Sequence, residues 1–78
     1  MPTVLVLGPY RFFFYSNEYG DPAHIHVQRD SAAAKFWLDP LALARSRGFA
    51  ASELNILHRL VAAHRTTFEE AWNEYFGG

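Results

Sequence analysis

Two histidines two residues apart carry the strongest chemical signal in the chain. His24 and His26 follow the turn residues Asp21 and Pro22. In an extended strand, side chains at positions i and i+2 leave the same face, roughly 6–7 Å apart. Two imidazoles at that separation can bind one metal ion, with Asp21 as a third ligand, or act as an acid–base pair, because histidine titrates near neutral pH. The plainer alternative is that both rings support the turn by hydrogen bonding.

Residue alternation predicts antiparallel strands around this segment. The expected strands are Tyr10–Ser16, which is rich in aromatic residues, His24–Arg29, in which aliphatic residues alternate with the histidines, and Ala34–Leu38. The connecting loops are too short for parallel crossovers, so we expect a meander. Thr3–Leu7 is a further short strand-forming run, which would pair as a fourth strand or project as an edge.

The residue pattern changes to helical spacing after Asp39 and Pro40. Asp followed by Pro is a helix-start signal, which predicts a short helical turn over Leu41–Arg47. Ser52 is the expected N-cap of the next helix, in which apolar residues recur at three- and four-residue spacing as far as Phe76. Because this stripe stays in phase throughout, we expect one continuous or slightly bent helix.

The predicted fold class is therefore α+β, in a single domain that spans residues 1–78. An antiparallel meander of three to four strands would be followed by the short helical turn and by one long C-terminal amphipathic helix. The helix stripe would cover one face of the sheet. The sheet residues expected in that core are Phe12, Phe14, Ile25, Val27, Phe36 and Leu38.

The opposite sheet face collects basic, aromatic and imidazole side chains. A surface of this kind can hold phosphates and stack bases. The residues expected to bind nucleic acid or another anion are Arg11 and Lys35 on this face, with Arg45 and Arg47 beside Gly48.

Three aromatic side chains on the same face favour a different interpretation. Phe13, Tyr15 and Trp37 would be exposed if nothing covered the sheet. We therefore expect them to form the interface with a protein partner.

Composition excludes several classes of function. The net charge is −1 and the isoelectric point is about 6.4, so nucleic acid would not be bound by bulk charge. The chain has no cysteine, which rules out disulfides and thiolate metal sites and fits a cytoplasmic protein. From the sequence we expect no membrane span, secretory signal, nucleotide-binding fingerprint or cofactor.

Several separated motifs point to a known family. They are Tyr10–Glu18, Asp21–Val27, Lys35–Pro40, Ser46–Phe49 and Trp72–Phe76. In this order, they resemble the bacterial domain-of-unknown-function family numbered 4160 over nearly the whole chain. The resemblance implies a small cytoplasmic protein, encoded beside another small domain of unknown function (the family numbered 2442) in an arrangement like a toxin–antitoxin pair. Ala23 stands where many relatives have a second proline, and no catalytic residues are established for the family.

The leading hypothesis is a component of a toxin–antitoxin-like module that acts through a small protein encoded next to it, with RNA as a candidate target. A ribonuclease would use His24 and His26 as its acid–base pair. Two alternatives stay open: a non-enzymatic protein-binding adaptor or regulator that uses the aromatic sheet face, and a metal-binding protein that uses Asp21, His24 and His26. A membrane partner is not expected, and a homo-oligomer is an alternative assembly.

Overall fold

A computed structural model describes residues 3–16, 18 and 20–77 as one antiparallel sheet followed by two helices. The strands lie in chain order across the sheet, and each is antiparallel to its neighbours. The predicted α+β meander is confirmed, with five strands rather than three or four. The elements are β1 (Thr3–Leu7), β2 (Tyr10–Phe13), β3 (His24–Arg29), β4 (Ala32–Leu38), β5 (Leu41–Arg47), α1 (Ala51–Ala63) and α2 (Arg65–Phe76).

The prediction of a helical turn over Leu41–Arg47 is wrong, because this segment forms β5. Leu, Ala and Arg are good helix formers, and the Asp39-Pro40 pair imitates a helix start. Without β5, however, the outer edge of β4 would leave its backbone N–H and C=O groups without partners in the sheet. The Asp39-Pro40 pair instead forms the turn between the two strands, so pairing outweighs local propensity here.

The register between β4 and β5 shifts by one residue. Phe36 pairs with Leu43, but Lys35 pairs with Arg45, which leaves Ala44 as an extra residue. The Leu-Ala-Leu-Ala-Arg-Ser-Arg sequence of β5 would otherwise place leucines and arginines on one face, since side chains alternate with period two. The extra residue reverses the alternation. The leucines therefore lie on the same side as Phe36, and the arginines lie on the same side as Lys35.

The prediction of a single long C-terminal helix is also wrong in detail, because a break at His64 divides the helical segment into α1 and α2. The His64 backbone N–H donates to the Leu60 carbonyl, and the Phe68 N–H donates to the His64 carbonyl, so the hydrogen-bond ladder nearly continues. The expected N-cap Ser52 lies inside α1, whose N-cap is Ala50 without a side-chain hydrogen bond. Neither helix in the described chain is long and apolar enough to cross a membrane.

The core lies between one sheet face and the two helices. All six sheet residues predicted for it are buried. Phe12 stacks on Phe68 of α2 with ring centroids 5.2 Å apart, and Phe14 contacts Trp72 edge-on at 5.5 Å. The predicted strand through Ser16 ends earlier, at Phe13, so Phe14 reaches α2 from the start of a loop.

A polar cluster ties the first helix to the sheet. Glu53 of α1 accepts hydrogen bonds from the Tyr10 hydroxyl (2.8 Å) and from Arg29 Nε (2.7 Å) and Nη2 (2.8 Å). The hydrogen bonds from Arg29 have the largest effect on the pKa of Glu53, and the hydrogen bond from Tyr10 has the next largest. Together they hold this pKa below its ordinary value of 4.5. The ionised carboxylate therefore favours the folded state.

We predict that Glu53→Gln lowers the free energy of unfolding at neutral pH. A carboxyl whose pKa is lower in the folded state stabilises it above the unfolded pKa, and this contribution disappears as the pH falls through the folded pKa. The difference between wild type and Glu53→Gln should thus be constant above about pH 5.5, shrink as the pH falls past the unfolded value of 4.5, and disappear only below the lowered pKa of the folded state. Urea unfolding across pH measures this, with the exposed Glu70→Gln as control. A difference that persists at low pH would contradict the assignment.

We predict that Gly48→Ala destabilises the fold more than Gly8→Ala. Both glycines have positive φ, 85° and 56°, which costs an L-residue free energy. At Gly48 a Cβ atom would also lie 3.1 Å from Ala32 Cβ, whereas at Gly8 it would meet no atom within 4 Å. In urea unfolding, the free energy of unfolding should fall by about 1–3 kcal/mol for Gly48→Ala and by about 1 kcal/mol for Gly8→Ala. Equal losses would show that the Ala32 contact is unimportant.

Candidate functional site

The second sheet face brings the predicted basic, aromatic and imidazole residues together. Strand register places Phe13, His26, Lys35 and Arg45 in one row across β2 to β5. His24 lies opposite Trp37 in the next row toward the sheet end. The predicted alternation, in which both histidines leave β3 on the face opposite Ile25 and Val27, is therefore confirmed.

The predicted exposure of the three aromatic residues is wrong for two of them. Phe13 is only 3% exposed, because the Arg11 guanidinium lies 4.5 Å from its ring centroid and the rings of Tyr15 and His26 pack beside it. Trp37 is half-buried under the Lys35 ammonium. Tyr15 alone of the three is exposed, at 44%. Neighbouring side chains of the same chain thus cover most of the expected interface.

A cationic cleft of about 360 Å³ lies over β4 and β5 on this face. Lys35, Arg45 and Arg47 line it, and Tyr15 and His26 also border it. Ala33, which also lines the cleft, pairs with Arg47; its small side chain leaves room between the longer ones. The register shift in β5 is what turns both arginines toward this cleft.

The three cations of the cleft are available to an anion. Among the residues that the structure describes, no carboxylate lies within 4.0 Å of Lys35, Arg45 or Arg47. Arg11, the fourth predicted anion-binding residue, lies on β2 and does not line the cleft. Its Nη2 donates to Gln28 Oε1 at 2.9 Å, and its Nη1 donates to Thr3 Oγ1 at 3.3 Å.

Beside the cleft, one carboxylate oxygen contacts both predicted histidines. Glu18 Oε2 lies 2.8 Å from His24 Nε2 and 2.8 Å from His26 Nε2. Asp21, which was expected to be the acidic member, is exposed and lies outside this group. Glu18 was missed because it lies six residues before His24 in an irregular loop, where no periodicity relates its position to β3.

The loop between β2 and β3 holds Glu18 in place. The other carboxylate oxygen, Glu18 Oε1, accepts a hydrogen bond from the Tyr15 backbone N–H at 2.9 Å. The Glu18 backbone N–H donates to the Tyr15 carbonyl. Burial raises the pKa of Glu18, but the hydrogen bonds from His26 and from the Tyr15 amide outweigh it and hold the pKa below 4.5. Burial lowers the pKa of His26 more than Glu18 raises it. The pair is thus an ionised carboxylate beside a neutral imidazole.

The two histidines differ in their access to the cleft. His24 is completely buried between Trp37 and Trp72, whose ring centroids lie 5.7 and 4.8 Å from its own. His26 is 7% exposed and borders the cleft. The acid–base role of the pair stays a prediction, and in this arrangement only His26 of the two can approach a molecule bound there.

Comparison with known proteins identifies a family. Neither the curated proteins nor the solved structures include a match to the chain. A family model described as "Domain of unknown function (DUF4160)" matches residues 10–73, which include the loop of Glu18, both histidines and the whole cationic cleft. The chain therefore belongs to the DUF4160 family.

Proposed function

We propose that the chain is the RNA-binding component of a two-protein, toxin–antitoxin-like module. The observation that carries the RNA part is the cationic cleft, in which Lys35, Arg45 and Arg47 converge without a carboxylate partner among the described residues. The two-protein part rests on the resemblance to a family whose members are often encoded beside a second small protein.

Local charge, rather than the charge of the whole chain, would drive this binding. The net charge is −1, so attraction to RNA has to come from segregated cations. Phosphate oxygens prefer Arg and Lys, and two arginines offer forked donors that suit them. A site that neutralises three phosphates of a single strand gives log K a slope of about −2 against log salt concentration.

An exposed ring at the cleft provides the second element of an RNA site. Tyr15 is 44% exposed and borders the same cleft as the three cations. Base stacking on an aromatic side chain contributes about 1–3 kcal/mol per base and tolerates any sequence. The expected ligand is therefore a short single-stranded segment, with its phosphates at the cations and one base on Tyr15.

We predict that the double variant Arg45→Gln, Arg47→Gln binds a single-stranded RNA oligonucleotide at least about tenfold more weakly than the wild type. The slope of log K against log salt concentration should fall in magnitude from about 2 to below 1. Removing two of three cationic contacts is the physical reason. Fluorescence anisotropy at several salt concentrations measures both quantities. The matched control is Arg59→Gln, an exposed residue on α1 that does not line the cleft. Equal losses in the control, or an unchanged slope in the double variant, would contradict the proposal.

The partner protein is proposed to add to the free edge of β5. This outer strand has seven residues, against five in β1, and it carries the exposed Leu43. An unpaired strand edge accepts an extended segment of another chain by main-chain hydrogen bonding. A partner at β5 would lie next to Arg45 and Arg47 and would control access to the cleft.

We predict that Leu43→Lys prevents copurification with the protein encoded next to this chain, because the charge would have to be desolvated at the edge. Val6→Lys is the matched control, since Val6 is 60% exposed on the opposite edge strand, β1. Coexpression, affinity capture and growth scoring test this. Loss of the complex with Val6→Lys alone would move the interface to β1. Partner binding without any RNA binding by the isolated chain would favour the adaptor alternative.

A further inference from the structure

We propose that Glu18, His24 and His26 form a binding site for a divalent first-row transition-metal ion of the Zn²⁺ type. The inference is independent of the proposed RNA function, because it concerns the buried side of His26 and requires none of the cleft cations. It rests on one unpaired nitrogen atom and on the donor set around it.

The unpaired atom is His24 Nε2. A backbone carbonyl can only accept, so the 2.9 Å contact between His24 Nδ1 and the Pro22 oxygen places a ring proton on Nδ1. The neutral ring then has a bare lone pair on Nε2. This nitrogen is buried, and no hydrogen-bond partner for it exists among the described residues. While the ring is neutral, the 2.8 Å contact with Glu18 Oε2 therefore joins two acceptors.

Two acceptors at that distance repel each other unless a positive centre lies between them. A metal ion bound to Nε2 and to the carboxylate supplies that centre. Metal-binding histidines usually donate their other ring N–H to a backbone carbonyl or carboxylate, which fixes the tautomer and the ring orientation. The bond from His24 Nδ1 to the Pro22 carbonyl has this arrangement.

The donor set suits zinc-like ions rather than Mg²⁺ or Ca²⁺. Two imidazole nitrogens with one carboxylate are ligands of Zn²⁺ and of non-haem Fe²⁺, whereas hard cations prefer oxygen alone. The three ligand atoms lie within 4.8 Å of one another. Tetrahedral coordination with bonds of 2.0–2.1 Å needs about 3.3 Å between ligand atoms, so the side chains would rotate to bind the ion. The ring proton of His26, which lies on Nε2 in the hydrogen bond to Glu18, would move to Nδ1.

The surrounding structure holds the three ligands before any ion binds. Pleating of β3 directs both imidazoles to one face, and packing against Trp37 and Trp72 restrains the His24 ring. The Tyr15 backbone N–H fixes the second oxygen of Glu18. Three protein ligands leave a fourth position for water or another donor.

The competing explanation is a second proton on His24. A proton on Nε2 would donate to Glu18 Oε2 and form a buried imidazolium–carboxylate pair, and it would need no metal. Because the proton and the ion occupy the same lone pair, only one of them can be present at a time.

The test is metal titration of the untagged full chain after removal of bound ions with a chelator. Calorimetry with Zn²⁺, and visible absorption with Co²⁺, should show one ion per chain with nitrogen and oxygen ligation. Glu18→Gln and His26→Gln should each weaken binding by at least about 10–100-fold, the loss that follows removal of even an outer-shell partner. His58→Gln, a change at an exposed histidine on α1, should bind as the wild type does.

Three further measurements keep the outcome unambiguous. Circular dichroism of each ion-free variant checks that lost binding is not lost folding, and a rise in the wild-type melting temperature with Zn²⁺ confirms binding to the folded state. Nitrogen-15 shifts of His24 report whether Nε2 carries a proton or an ion. Absence of Zn²⁺ binding by the wild type, undiminished binding in Glu18→Gln, or a doubly protonated His24 in excess Zn²⁺ would each overturn the proposal.

Discussion

The pleat of β3 is the constraint on which both faces of the molecule depend. Because successive side chains point to opposite faces, burying Ile25 and Val27 in the core requires His24 and His26 to leave the other face together. A slip of one residue would bury the histidines in the core and expose the aliphatic residues, so the register is strongly specified. The position of the two imidazoles is thus a consequence of the hydrophobic core.

The second face is not an open surface, because the chain covers part of it. Tyr15 and Glu18 of the loop after β2 cover one end, and Trp72 of α2 packs against His24 there. This cover makes His24 a buried polar residue, and such a residue requires partners because an unsatisfied buried nitrogen costs free energy. The Pro22 carbonyl satisfies one ring nitrogen, and the contact with Glu18 leaves the other without a hydrogen-bond donor.

The cationic cleft owes its composition to one extra residue. In a regular β5, Arg45 and Arg47 would share a face with Leu41 and Leu43. Either the arginines would then face the core, or the leucines would lie on the opposite face of the sheet. The bulge at Ala44 separates them, and it resolves the conflict on an edge strand, where an unpaired residue is tolerated. The cleft and the buried Glu18 cluster meet at His26, so the two proposed sites share one side chain while using different neighbours.

Local sequence patterns determined the antiparallel meander, the five predicted core residues that lie in strands and the shared face of the two histidines. Each of these follows from period-two alternation within a strand and from short loops, both of which are local properties. Tertiary structure alone decided that Leu41–Arg47 is a strand, because only pairing with the free edge of β4 outweighs the helical propensity of this segment. It also decided that Glu18, and not Asp21, joins the histidines, because the path of an irregular loop has no periodicity from which it could be predicted.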